Sequence, residues 1–284
     1  MTGNVRLTAE EAATLPTILR TVSGSEVHGT GLPGGDVDHL GFAVESRDDV
    51  LGVGSSPESW SFRTAWARAV DEGSEARSRH GDLDLMVYPA RKWARLALGG
   101  NPTVLTPLFV GEEWIVSVDE FGLALRENRH RLMSKTLVRK FLGYSAAQIE
   151  RMQGLRSNRV SRPELVSEHG FDTKFAGHTL RLAYQGLMAA STGTIPMPLE
   201  APMAQFILDV RQGKYSADEV AEGYQGIVGQ AESALAASEL PDKPDDRWLA
   251  EWLSEVQLAT WARSGDDAGR SAELVARGRV GRRS

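Results

Sequence analysis

The chain has 284 residues, a net charge of −6, no cysteine, 41% hydrophobic residues and 25% charged residues. Such a composition fits one large globular domain or two modest ones, and it excludes disulfides, thiolate zinc sites and cysteine nucleophiles. No apolar run approaches the ~20 residues of a membrane span, and the opening MTGNVRLTAEEAAT lacks the basic-then-apolar order of a signal peptide. A cytoplasmic protein with no membrane partner is therefore expected.

Thr8-Ala9-Glu10-Glu11 reads as a capping box for a short first helix, which Pro16 limits. A strand over Thr17–Val22 then runs into a glycine-rich turn. There Gly24-Ser25 would offer backbone N–H groups and a hydroxyl to phosphate. His28 lies inside this turn, where it either touches a nucleotide or fills space. Asp36-Val37-Asp38 follows and leads into the apolar run to Val44. In a strand, residues i and i+2 share a face, so Asp36 and Asp38 present two carboxylates side by side. Their repulsion calls for a cation between them, and hard oxygen ligands suit Mg²⁺. His39 would point to the opposite face. A phosphate cradle followed by a metal-binding acid pair is the layout nucleotidyl transfer requires.

Between Gly52 and Gly81 strand character is lost, and Phe62–His80 reads as either a helix or an insertion near the site. A strand returns at Asp82–Tyr88. Asp84, deeper in it, supplies a third carboxylate, with Asp82 on the same face as the alternative. Pro89 suits a first helical position. The helix it opens carries Arg91, Lys92 and Arg95 and ends at Gly99-Gly100. Asn101-Pro102 then turns the chain toward another expected strand, Thr103–Val110.

Beyond Trp114 the pattern is helical, over Phe121–Phe141 and Ser145–Met152. From Arg126 to Arg162 there are ten Lys/Arg against two acids, so this segment is +8 and the rest of the chain −14. It reads as a phosphate-binding face or as a solvated helix surface. Asp172-Thr173-Lys174 leads into a helix with His178 and Arg181 on neighbouring positions of one face. Ile195-Pro196-Met197-Pro198 ends that helix, and Ala204–Arg211 follows. Ser216-Ala217-Asp218-Glu219 is a second capping box. In the last helix, Asp245–Trp261, the stripe Trp248, Trp252 and Val256 is core packing. The tail 277–284 is basic.

With the third acid placed, the chain resembles the DNA polymerase beta-like nucleotidyltransferase superfamily, and within it the predicted nucleotidyltransferases of an RNA-repair pathway. The resemblance rests on Ser23-Gly24-Ser25 with Gly29, on Asp36-Val37-Asp38, and on Asp84 with Tyr88, Lys92, Leu96 and Gly100-Asn101-Pro102. It continues through Leu142-Gly143-Tyr144 with Gln148, Asp172-Thr173-Lys174, His178, Arg181-Leu182, Arg211-Gln212-Gly213-Lys214 and Ser238-Glu239-Leu240-Pro241. Gly35, His28 and Thr106 depart from the usual pattern, and none of them is a metal ligand.

The resemblance implies an α+β fold: a small mixed β-sheet core over 1–118, closed by a helical part over 119–284. It implies template-independent transfer of an NMP from an NTP such as ATP to a hydroxyl, an RNA 3′ end above all, with release of pyrophosphate. Two Mg²⁺ ions, or Mn²⁺, would sit on Asp36, Asp38 and Asp84. Gly24 and Ser25 would hold the β- and γ-phosphates. Lys92, Lys174 and Arg181 would neutralise charge along the triphosphate or acceptor, with ordinary ion pairing as the alternative for each. Asn101 is expected to cap or turn the backbone. Nucleotidylation of a protein or small molecule, and nucleotide binding without turnover, are the competing readings. The histidines never fall at zinc-ligand spacing, and Gly29-Thr30-Gly31 is not a dinucleotide-binding fingerprint.

Overall fold

The computed structural model describes residues 3–34, 36–53, 56–72, 79–152 and 162–263. The expected α+β class is what forms. Six strands, β1 (Val5–Arg6), β2 (Leu19–Val22), β3 (Val37–Ala43), β4 (Trp60–Arg63), β5 (Leu83–Pro89) and β6 (Ile115–Val118), build one mixed sheet in the order β1-β4-β5-β3-β2-β6. The β1–β4 and β3–β5 pairs are parallel and the others antiparallel. A parallel pair needs a crossover. The β3-to-β5 crossover runs through the short helix α2 (Arg47–Leu51), β4 and α3 (Thr64–Glu72). Helix α1 (Ala9–Thr14), opened by the expected Thr8 capping box, covers one sheet face, where Ala12 packs with Ala43, Phe62, Leu85 and Val87.

On the other face lie α4 (Ala90–Leu98), α5 (Pro102–Leu105) and the helical C-terminal part. That part comprises α6 (Glu120–Glu127), α7 (Lys135–Met152), α8 (Pro163–His169), α9 (Thr173–Thr192), α10 (Ala201–Arg211), α11 (Ala217–Ala237) and α12 (Asp246–Arg263). Alternation along β3 sends Phe42 to this face, where it stacks on Trp93 with ring centroids 4.3 Å apart. Trp252 closes the cluster at 5.9 Å from Trp93, and its indole N–H donates to the Phe121 carbonyl at 3.1 Å. The tryptophan stripe of α12 is thus core, as expected. Burying three aromatic rings together is worth several kcal/mol, and it ties the last helix to the sheet that carries the acids.

Five local expectations are corrected. Thr103–Val110 is not a strand: Asn101 Oδ1 accepts from Thr103 N at 2.9 Å and Pro102 takes a first-turn position, so α5 and a 3-10 turn (Thr106–Leu108) form instead. Trp60–Arg63 is a strand inside the region where none was expected, and Ile115–Val118 is another, an edge strand lying on β2. Both are four residues long, too short for a two-residue period to register. Pro89 is the N-cap of α4 rather than its first residue. The break among the basic helices falls at 128–134, and α7 runs straight through Gly143. The tail 277–284 lies outside the described residues.

Candidate active site

Parallel pairing sets Asp38 of β3 in register with Asp84 of β5, and Val37 N donates to Asp82 O at 2.8 Å just before them. With Asp36, one residue ahead of β3, they bring carboxylate oxygens within 4.8 Å of one another. All three are half-buried. Burial, then the charges of Asp36 and Asp84, push the Asp38 carboxyl up to about 6, with Lys174 and Arg63 opposing the rise. Three carboxylates so placed, one resisting ionisation through burial and the charges of the other two, make a donor set that fits a hard divalent cation.

The turn after β2 closes over this cluster. Ser23 N donates to Asp38 O at 2.8 Å, and Thr30 N returns to Ser25 O at 3.0 Å, making a compact turn rather than a helix. Gly24 has φ +81°, and a Cβ there would stand 2.6 Å from Asp38 Oδ2. Only glycine both adopts that backbone freely and leaves the carboxylate in place. Gly24 and Ser25 therefore line the same cleft as Asp36, Asp38 and Asp84.

Asp82, the alternative third acid, has a different task. Arg68 grips it with both guanidinium nitrogens at 2.7 and 2.6 Å, and Arg79 N adds a bond at 2.7 Å. Those hydrogen bonds, Arg68 foremost, hold its carboxyl at about 2. His39 faces away from the acids as expected. Its Nδ1 receives Arg20 Nε at 3.2 Å, and burial with the Arg20 charge lowers the ring to about 4.

Lys174 and Arg181, both on α9, line the cleft. The Arg181 guanidinium is held at 2.9 Å by each of three acceptors: His28 Nε2, Gln185 Oε1 and His178 Nδ1. Burial, then neighbouring positive charge, pushes His28 well below its usual range, and the same causes bring His178 to about 3. Both rings are thus neutral acceptors at neutral pH, and burial lowers Arg181 itself only to about 10, leaving it charged. Arg211 donates to the Thr30 carbonyl, so α9 and α10 each fasten one arginine to the turn. Lys92 is not brought to the acids. Its Nζ pairs with Glu58 at 2.6 Å and lines a separate cavity of about 540 Å³ with Glu45 and Arg95.

The basic segment divides by task. Arg126 donates to the carbonyls of Pro107 and Val110 (3.0 and 2.7 Å), Arg129 to Arg126 O at 2.8 Å, and Arg131 pairs with Asp245 at 2.9 Å. These are structural. Arg139, Lys140 and Arg151 instead line the cleft, while Arg156 and Arg159 lie outside the described residues. Sequence reading missed Arg63, whose Nε stands 2.9 Å from Asp84 Oδ2 across the β4–β5 pair. It was hidden because the strand that aims it was not recognised.

Residues 3–245 match the RNA repair pathway DNA polymerase beta family. The chain belongs to that family. It is also 25% identical over 149 residues to an uncharacterised 38.9 kDa protein of Enterobacteria phage T4, encoded in the nrdC–mobD intergenic region. That match spans 52% of this chain and 41% of the phage protein. A solved nucleotidyltransferase-like protein from Exiguobacterium sibiricum aligns over 90% of this chain and 89% of its own, at 14% identity and a TM-score of 0.30. In this polymerase beta family member, Asp36, Asp38 and Asp84 could together hold a metal ion.

Proposed function

We propose that this protein transfers an NMP from an NTP to a hydroxyl acceptor, an RNA 3′ end, without a template, releasing pyrophosphate. The observation that carries the reading is the convergence of Asp36, Asp38 and Asp84 beneath the Gly24-Ser25 turn. Residues 1–118 supply the acids and the turn, and 119–284 supply the helices that wall the cleft. No described helix is long and apolar enough to cross a membrane, and the cytoplasm is the proposed location.

Asp36, Asp38 and Asp84 would hold the divalent ions, Mg²⁺ or Mn²⁺. Such ions stabilise the entering and leaving oxygens of an in-line displacement. Ser25 and the backbone N–H groups of the turn would bind the β- and γ-phosphates, while Lys174 and Arg181 oppose their charge. The acceptor oxygen attacks the α-phosphorus and its proton passes to an Asp84 carboxylate oxygen. The bond to the β-phosphate oxygen breaks, and pyrophosphate leaves with those electrons. Arg181, held by His28 and His178, keeps the turn and α9 in a fixed relation, so the triphosphate meets a preformed site.

The test is incubation with Mg²⁺ and each α-labelled NTP, with and without a pool of RNA ends, beside Asp36→Ala. Label joined to RNA and lost in the variant supports the reading. Label joined only to protein points to protein nucleotidylation, and no transfer with any NTP or acceptor points to nucleotide binding without turnover.

A further inference from the structure

The cleft has a volume of about 1420 Å³, whereas a pocket for a single small ligand occupies roughly 300–1,000 Å³. One nucleoside triphosphate does not account for it. The phosphate turn, Lys174, Arg181 and Arg211 gather at one part of the lining. From Asp84 the lining continues along one face of β5 through Met86 and Tyr88, about 13 Å of strand, to Thr103 of α5 and the exposed side of α7.

Helix α7 has two faces. Leu137, Val138, Phe141, Ser145 and Ile149 are buried, and Gly186 of α9 lets the helices close up, since a Cβ there would lie 3.0 Å from Phe141 Cβ. The opposite stripe follows the helical period, and Arg139, Lys140, Tyr144 and Arg151 on it all line the cleft. No acid lies on that stripe. Tyr144 is 38% exposed, and beside it Gly143 leaves open space, with no atom within 4 Å of where a Cβ would be. Cations along a track with an exposed aromatic ring between them are what a flexible polyanion with flat bases requires. The solvated-helix reading does not explain why these cations line the cleft that holds the acids.

Resting on the transferase reading above, we propose that this stripe of α7, with Tyr88 and Thr103 opposite, is a second subsite separate from the NTP's. It binds the last nucleotides of a single-stranded RNA, with a base stacked on Tyr144 and phosphates on Arg139, Lys140 and Arg151. The strand runs along β5 and delivers its terminal hydroxyl to Asp84.

The test measures two affinities on the full chain. One is for a short fluorescein-labelled single-stranded RNA by anisotropy, across a salt series. The other is for a fluorescent ATP analogue with Mg²⁺. Tyr144→Ala should weaken RNA binding about tenfold. The double variant Arg139→Gln/Lys140→Gln should weaken it further and flatten the salt slope by about 1.4. Both should keep the wild-type affinity for the ATP analogue, which also reports that they are folded. RNA affinity unchanged in these variants would overturn the subsite while leaving nucleotidyl transfer standing. An absence of RNA binding even at low salt would overturn it in favour of a protein acceptor. RNA binding that follows the stripe in a protein that transfers no nucleotide would uphold the subsite and refute the transferase reading.

Discussion

Asp38 and Asp84 are direct partners across the parallel β3–β5 pair, on the same face of the sheet. Backbone pairing thus forces together two charges that repel, and the Asp38 carboxyl rises to about 6 through burial and the charges of Asp36 and Asp84. In the unfolded chain it titrates near 3.9. Because the folded value is the higher one, the folded state binds the proton more tightly, and stability falls as pH rises from about 4 through 6. In chelator at pH 8, Asp38→Asn should stabilise the protein by about 1 kcal/mol, a figure discounted for the solvent screening of a half-exposed group. The gain should vanish at pH 4. Urea melts at the two pH values decide it; an equal effect at both would remove the electrostatic explanation.

The same repulsion makes a cation stabilising. Mg²⁺ or Mn²⁺ should raise the melting temperature of the wild-type chain at pH 8 in a concentration-dependent way. Asp38→Asn and Asp84→Asn should each lose most of that rise. Arg63, 2.9 Å from Asp84 Oδ2, competes with the ion for the same oxygen. Ion pairs at such partly exposed positions are worth up to about 1 kcal/mol, so Arg63→Gln should tighten Mn²⁺ binding by up to about fivefold. Weaker binding in calorimetry would show instead that Arg63 holds Asp84 in its ligating position.

Gly24→Ala tests the turn. The left-handed backbone at φ +81° costs an alanine about 1 kcal/mol or more. The added Cβ, 2.6 Å from Asp38 Oδ2, can be accommodated only if the carboxylate swings away. Stability should therefore fall by only about 1–2 kcal/mol, while the metal-induced rise in melting temperature is lost. A variant that keeps the metal response would show that Asp38 does not need to stay where it is.

Much of this site was legible because it is local. Two acids at i and i+2 where a strand begins, a glycine-serine turn and two capping boxes each announce themselves within a few residues, and the third acid sits in an apolar alternation that it shares with Asp82. What stayed hidden is nonlocal or short. Arg63 acquires meaning only through β4, a four-residue strand within the β3-to-β5 crossover that pairs antiparallel with β5. The hold of His28 on Arg181 joins residues 153 positions apart, and no spacing rule reaches that far. The sequence marks Asn101-Pro102 as a backbone device, yet the helix it starts reads as a strand because Val104, Leu105 and Leu108 belong to a short apolar run, and such runs look alike in both states.

Arg181 gives a prediction that separates position from charge. Its three acceptors, each at 2.9 Å, need a planar fork, which a lysine ammonium cannot supply. Arg181→Lys keeps the charge and leaves buried acceptors without partners, costing roughly 2 kcal/mol. It should also loosen the turn on α9, raising KM for the NTP more than it lowers kcat. Wild-type kinetics in this variant would mean that charge alone matters there.

Lys92 and Lys174 offer the sharpest contrast between sequence reading and placement. The sequence makes both candidates for the triphosphate or the acceptor, with ordinary ion pairing as the alternative. The fold sends Lys92 to Glu58, bonded at 2.6 Å, and into the lining of a separate cavity. Lys174 begins α9, lines the cleft, and is close enough to Asp38 to oppose the rise of its carboxyl. Lys174→Met should raise KM for the NTP about tenfold, the loss expected when a cation facing a phosphate is removed. Lys92→Met should leave transfer kinetics unchanged and alter stability by less than about 1 kcal/mol, the range of an exposed pair. Steady-state kinetics on the two variants, run side by side, distinguish them. A tenfold rise in KM for Lys92→Met with none for Lys174→Met would mean the triphosphate lies outside the cleft that holds the acids.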